Sequence, residues 1–138
     1  MENNNKIIHK TFVTSIPYEE EFVISCRTGW GCGYVHIHKD HPIIVKTLSN
    51  DGYGNYLSPE NCPQEITFTE WDKDKEYLVI GFDTAHRYNN SSHDEKYVIE
   101  QANDIKALVD EFKEVDACIY ALEKIKEVTD LYSKYVKL

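Results

Sequence analysis

Asp83 and His86 stand just past an unbroken apolar run, Tyr77 to Phe82, and Arg87 follows at once. A carboxylate three residues from an imidazole can fix the ring's tautomer and share a proton with it. That pairing suits acid–base work or the gripping of a polar ligand edge. The plainer alternative is a strand end whose Asp accepts loop amides and whose His is hydrogen-bonded as structure. His36, His38 and His41 lie earlier in the chain, and alternate strand positions such as 36 and 38 share one face. With Asp83 and His86 they contain the ligand types a metal would require. A strand histidine more often serves as a half-buried aromatic, so no metal and no cofactor is expected.

Arg27 and Arg87 are the only arginines, and both flank these stretches. A guanidinium offers a planar fork that grips phosphate or carboxylate through two bonds, where lysine is a point charge. Trp30, Tyr34, Tyr53 and Tyr56 present flat surfaces on which a base could stack. For Tyr34, core packing is the simpler reading. Lys39 and Lys46 could help neutralise a phosphate, although a solvated surface is their default. The candidate ligand-binding set is therefore Arg27, Trp30, Tyr34, His41, Asp83, Thr84, His86 and Arg87, with His41, Asp83 and His86 as candidates for catalysis. No phosphate loop, dinucleotide fingerprint, nucleophile elbow or zinc-protease helix occurs in the sequence.

The elements that must position these residues follow from composition and pattern. With 138 residues, 41% of them hydrophobic, the chain is expected to form one domain, 1–138, with a core that needs no staples. No apolar stretch approaches the length of a membrane span. The polar start Met1-Glu2-Asn3-Asn4-Asn5 leads into no apolar segment, so no secretory signal and a cytoplasmic location are expected. A net charge of −9, from 15 basic and 24 acidic residues, repels a phosphate backbone and argues against duplex nucleic acid as a partner. It leaves room for one small anion in a local basic pocket. Cys26, Cys32, Cys62 and Cys118 contain no Cys-x-x-Cys pair and read as small thiols rather than a zinc site.

Strands are predicted at Ile7 to Ser15, Glu21 to Cys26, Cys32 to His38, Ile43 to Val45, Glu65 to Thr69 and Tyr77 to Phe82. Thr28-Gly29-Trp30-Gly31 is expected to reverse the chain between the second and third. Gly31 and Gly33 mark a bulge or a close backbone approach. Residues 47–64 form an irregular loop of the kind that often carries function. Ser92-x-x-Glu95 reads as a capping box opening a helix whose stripe is Val98, Ala102, Ile105, Val109 and Phe112. A second stripe, Cys118, Leu122, Ile125, Thr129, Tyr132 and Val136, runs to the end, and Asp116 as an N-cap favours a separate helix there. Strands first and helices last predict an α+β domain: a mainly antiparallel sheet of five to six strands (about 7–87) with one or two C-terminal helices (about 93–137) packed on one face.

Gly31-Cys32-Gly33-Tyr34-Val35, His41-Pro42, Ile66-Thr67-Phe68, Ile80-Gly81-Phe82-Asp83-Thr84-Ala85-His86 and Tyr97-Val98-Ile99-Glu100 occur in that order. Over roughly residues 20–112 the chain thereby resembles a family of small tailed-phage accessory proteins, with their Cys-Gly-Tyr-Val strand, Gly-His-Pro turn and Gly-Phe-Asp-x-Ala-His strand end. Asp40 stands where that family has Gly, and Pro63-Gln64-Glu65 where it has His-Gly-Gly, so one family histidine is absent. The resemblance implies an early accessory protein acting in the host cytoplasm, of a kind that often counters host defences. The resulting expectation is an anti-defence sponge: a homo-oligomeric nucleotide-binding protein that sequesters a small anionic, nucleotide-derived immune signal. The alternatives are a phosphodiesterase-like hydrolase using His41 and His86, and a protein–protein inhibitor acting through the C-terminal helix.

Overall fold

A computed structural model describes residues 10–49 and 64–136. Eight elements follow in order: strand β1 (Thr11–Pro17), helix α1 (Glu20–Cys26), β2 (Gly31–His38), α2 (Ile44–Ser49), β3 (Phe68–Trp71), β4 (Tyr77–Asp83), α3 (Glu95–Glu111) and α4 (Glu114–Tyr135). The fold is α+β, as expected, with four strands among the described residues where five to six were expected. They form one antiparallel sheet in the order β1-β2-β4-β3. Tyr53, Tyr56 and Cys62 lie outside the described residues.

The alternation in β2 decides how the sheet is used. Gly31, Gly33, Val35 and Ile37 are buried, while Cys32, Tyr34, His36 and His38 between them are half-buried on the other face. Leu78, Ile80 and Phe82 of β4 join the buried set. α3 covers this face, inserting Val98, Ala102, Ile105 and Val109, none more than 1% exposed. Gly33 is the predicted close approach and no bulge: the register runs unbroken, and a methyl there would lie 2.7 Å from the Phe82 ring and 3.2 Å from Val98.

Two predicted strands are helices. Glu21 to Cys26 lies within α1, which buries no residue. Pro17 pairs with Gly31 across the β1–β2 ladder, so residues 18–30 are an excursion from the mouth of a hairpin. Both edges of β2 are taken by β1 and β4, so the segment cannot pair beside β2, and as a helix it pairs its backbone internally. Glu20 and Glu21 in the first turn also suit the positive end of a helix dipole. Ile43 to Val45 leads into α2, where His41 Nδ1 accepts the Ile43 N–H at 3.1 Å. Both helix starts at the C-terminal end shift from prediction. Asp94, not Ser92, caps α3 by accepting the Tyr97 N–H, and Asp116 accepts the Lys113 N–H three residues into α4 rather than capping it. The predicted pair of stripes therefore belongs to two helices. Among the described residues no helix is long and apolar enough to cross a membrane.

Candidate functional site

Among the described residues no helix lies over the face of the sheet away from α3, and that face is rich in rings. Phe12 of β1 stacks on His36 of β2, centroids 4.4 Å apart and planes at 7°. Tyr34 meets Phe68 of β3 edge-on at 5.5 Å. Between these pairs lies a hollow of about 330 Å³ lined by Thr14, Tyr34, His36, Phe68 and Val79, with Glu70 and Asp72 at its acidic side. That volume is in the range that takes a small ligand. His36 Nε2 sits 2.7 Å from the Thr14 hydroxyl, and burial holds its imidazole below the ordinary histidine range, so the ring is neutral at pH 7.

Past the hollow on the same face lies the C-terminal end of β4. Tyr34 pairs with Gly81, which leaves space for its ring, and Cys32 pairs with Asp83 one pleat further on. The Asp83 carboxylate accepts the Ala85 N–H at 2.9 Å and the Thr67 hydroxyl at 3.4 Å, the strand-end role anticipated for it. His86 Nε2 lies 3.4 Å from Asp83 Oδ1 but makes no hydrogen bond of good geometry, although it is buried. The ring is instead held by stacking on Tyr88 at 5.3 Å. Asp83 and His86 thus meet as predicted, with the imidazole nitrogen lacking a hydrogen-bond partner. A buried polar atom without a hydrogen bond is costly, and the Asp83 carboxylate beside the ring offsets part of that cost.

Tyr18 closes this end. Its hydroxyl accepts from the Cys32 thiol at 3.6 Å and from the Thr84 N–H at 3.2 Å. Burial, together with the Cys32 thiol, raises its pKa and pushes that of Tyr34 up to about 12. Both phenols therefore remain donors at neutral pH, not bases.

The other predicted residues divide. Thr84 is fully buried and structural: its hydroxyl donates to Gly31 O at 2.6 Å and accepts the Gly31 N–H at 3.1 Å, and its carbonyl takes the Gly29 N–H. Those bonds bring the 27–30 loop against the 84–87 loop, so Arg27 and Arg87 belong to the same end of the sheet as Asp83. Both are exposed, neither has an ion pair among the described residues, and Arg27 holds a left-handed φ of 53° where it ends α1. Trp30 packs against the core. His41 is elsewhere. It lies beyond His38, which pairs with Tyr77, at the opposite end of a seven-residue strand from Asp83, so roughly 20 Å separates it from His86. Its Nε2 lies 3.2 Å from Asp110 Oδ1 of α3, and its role is structural. His36 and His38 face the open side, and among the described residues no three His, Cys, Asp or Glu side chains converge on a metal position.

Sequence reasoning missed Phe12, Tyr18 and Phe68. Alternation in Thr11–Pro17 and Phe68–Trp71 carries the signal, but which face is covered emerges only from strand order and from α3. The chain matches no family model, no curated protein and no solved structure.

Proposed function

We propose that this chain is a binding protein that holds a nucleotide-derived ligand, its ring in the open-face hollow and its phosphate turned toward Arg27 and Arg87. The observation that carries the reading is the ring-lined sheet face, where Tyr34, His36 and Phe68 border a hollow and Asp83 follows Gly81, the partner of Tyr34, two residues along β4. Aromatic platforms of this kind stack bases with a strength of about 1–3 kcal/mol per base. Glu70 and Asp72 repel phosphate from the hollow itself and would accept the amino groups of a base. The two exposed guanidiniums at the far end would supply the positive charge that a phosphate requires.

Binding without turnover is the preferred form because His41, the second imidazole a hydrolase would use, is about a strand's length away. On the resemblance to tailed-phage accessory proteins, the ligand is a nucleotide immune signal and the role is sequestration in the host cytoplasm. The Asp83–His86 contact is the observation favouring hydrolysis instead. Calorimetry with a panel of cyclic and linear nucleotides tests the reading: heat with wild type and its loss in Tyr34→Ala are expected, and no heat with any member overturns it. Recovering the ligand after denaturation separates the two forms, since intact molecule means a sponge and fragments mean a hydrolase.

A further inference from the structure

Among the described residues helix α4 contributes no buried residue and packs against α2, with Lys46 Nζ of α2 lying 5.9 Å from the Tyr120 ring centroid. Nine apolar side chains from Val115 to Val136 are between 40% and 72% exposed. At about 100 Å² apiece they offer on the order of 1,000 Å², slightly more than the roughly 800 Å² each partner gives to a standard interface. Five of them share a heptad seam with Cys118 and Thr129, with Val115, Leu122, Thr129 and Val136 at one core position and Cys118, Ile125 and Tyr132 at the other, and Ile119, Val128 and Tyr135 flank it. Of the charged residues from Asp116 to Lys134, only Lys126 borders that seam. A partner must therefore bring an apolar helical stripe of matching period.

We propose that the partner is a second copy of this chain, with the two α4 helices packed antiparallel. A two-fold axis between Leu122 and Ile125 sets Leu122 against the partner's Ile125, Cys118 against the partner's Thr129 and Val115 against the partner's Tyr132, so each core layer combines the two seam positions and the stripe satisfies itself. Antiparallel pairing also brings Lys126 beside the partner's Glu123, whereas parallel pairing leaves that ammonium between alanine and valine. It opposes the helix dipoles and holds two acidic bodies, each chain at −9, at opposite ends of the pair.

Light scattering on the full chain at tens of micromolar is expected to give a dimer, and Leu122→Asp a monomer with unchanged circular dichroism. Orientation is read by mild oxidation and peptide mapping. Wild-type Cys118 should form no bridge to Cys118 of the partner subunit, which lies about 16 Å away along the axis. Thr129→Cys should join Cys118 to the new thiol and give a covalent dimer. A wild-type monomer at every concentration overturns the proposal, as does a dimer that survives Leu122→Asp, which would assign contact to the open sheet face. Cys118 bridged to its own counterpart overturns the antiparallel arrangement.

Discussion

The two C-terminal helices carry stripes of the same kind and meet opposite fates. Val98, Ala102, Ile105 and Val109 of α3 are sealed against β1 and β2, whereas Leu122, Ile125 and Val128 of α4 are each more than 60% exposed. The sheet repeats the contrast, with one face under α3 and the other open and lined with rings. Amphipathic pattern therefore makes a helix or strand but does not choose what covers it. In α3 the choice is made by polar pins as well as by apolar fit. Asp110 near its end accepts from the Thr11 hydroxyl at 2.7 Å and Lys106 at 2.9 Å and lies 3.2 Å from His41 Nε2, tying the helix to β1 and to the turn before α2. The ion pairs Lys126 with Asp130 and Lys124 with Glu127 lie on the surface of α4 and are worth little.

The comparison predicts a graded set of losses. Ile105→Ala should cost about 2–5 kcal/mol in urea unfolding, since it opens a cavity under a covered stripe. A cost below 1 kcal/mol would mean that α3 is not the clamp on the sheet. Asp110→Ala should cost about 1–3 kcal/mol by stranding the groups that point at it. Burial works against the Asp110 charge, but hydrogen bonds from Lys106 and Thr11 outweigh it and hold the carboxyl below the ordinary carboxylate range. Its contribution is present above the unfolded value of about 3.9 and is lost as pH falls through the lower folded value. Asp110→Asn should flatten that acid limb of the stability curve.

On the open face the effect is smaller and has its own pH window. Burial depresses the pKa of His36, so below the ordinary value of about 6.5 the unfolded chain takes up a proton that the folded chain refuses. Stability should decline as pH falls from about 6.5 through the lower folded value, and His36→Phe should remove that slope. Leu122→Ala should have the smallest effect. At concentrations low enough to keep the chain monomeric, its unfolding free energy should stay within about 0.5 kcal/mol of wild type. A larger loss there would show that α4 is packed within its own chain.

Much of the scaffold was legible locally. The Val98–Val109 stripe, the continuous run of β4 and the alternation of β2 each name their element, because burial on one or both faces dictates a period. So was the Asp83–His86 contact, since three residues past a strand end leave a side chain few other places to go. The misread segments are short. Phe22-Val23-Ile24 has the β-branched and aromatic content of a strand, yet the segment folds as α1, which pairs its backbone internally and buries none of its residues.

By itself the sequence determined the α+β class, the central strands, the two helical stripes and the meeting of one carboxylate with one imidazole, all consequences of spacing along a single segment. Only the tertiary structure decided that His41 serves Asp110 rather than His86, that Phe12, Tyr34, His36 and Phe68 share one bare surface, and that α4 was left uncovered. Those outcomes depend on strand order and on which helix reached the sheet, and such long-range choices rest on contacts between segments that no local pattern encodes.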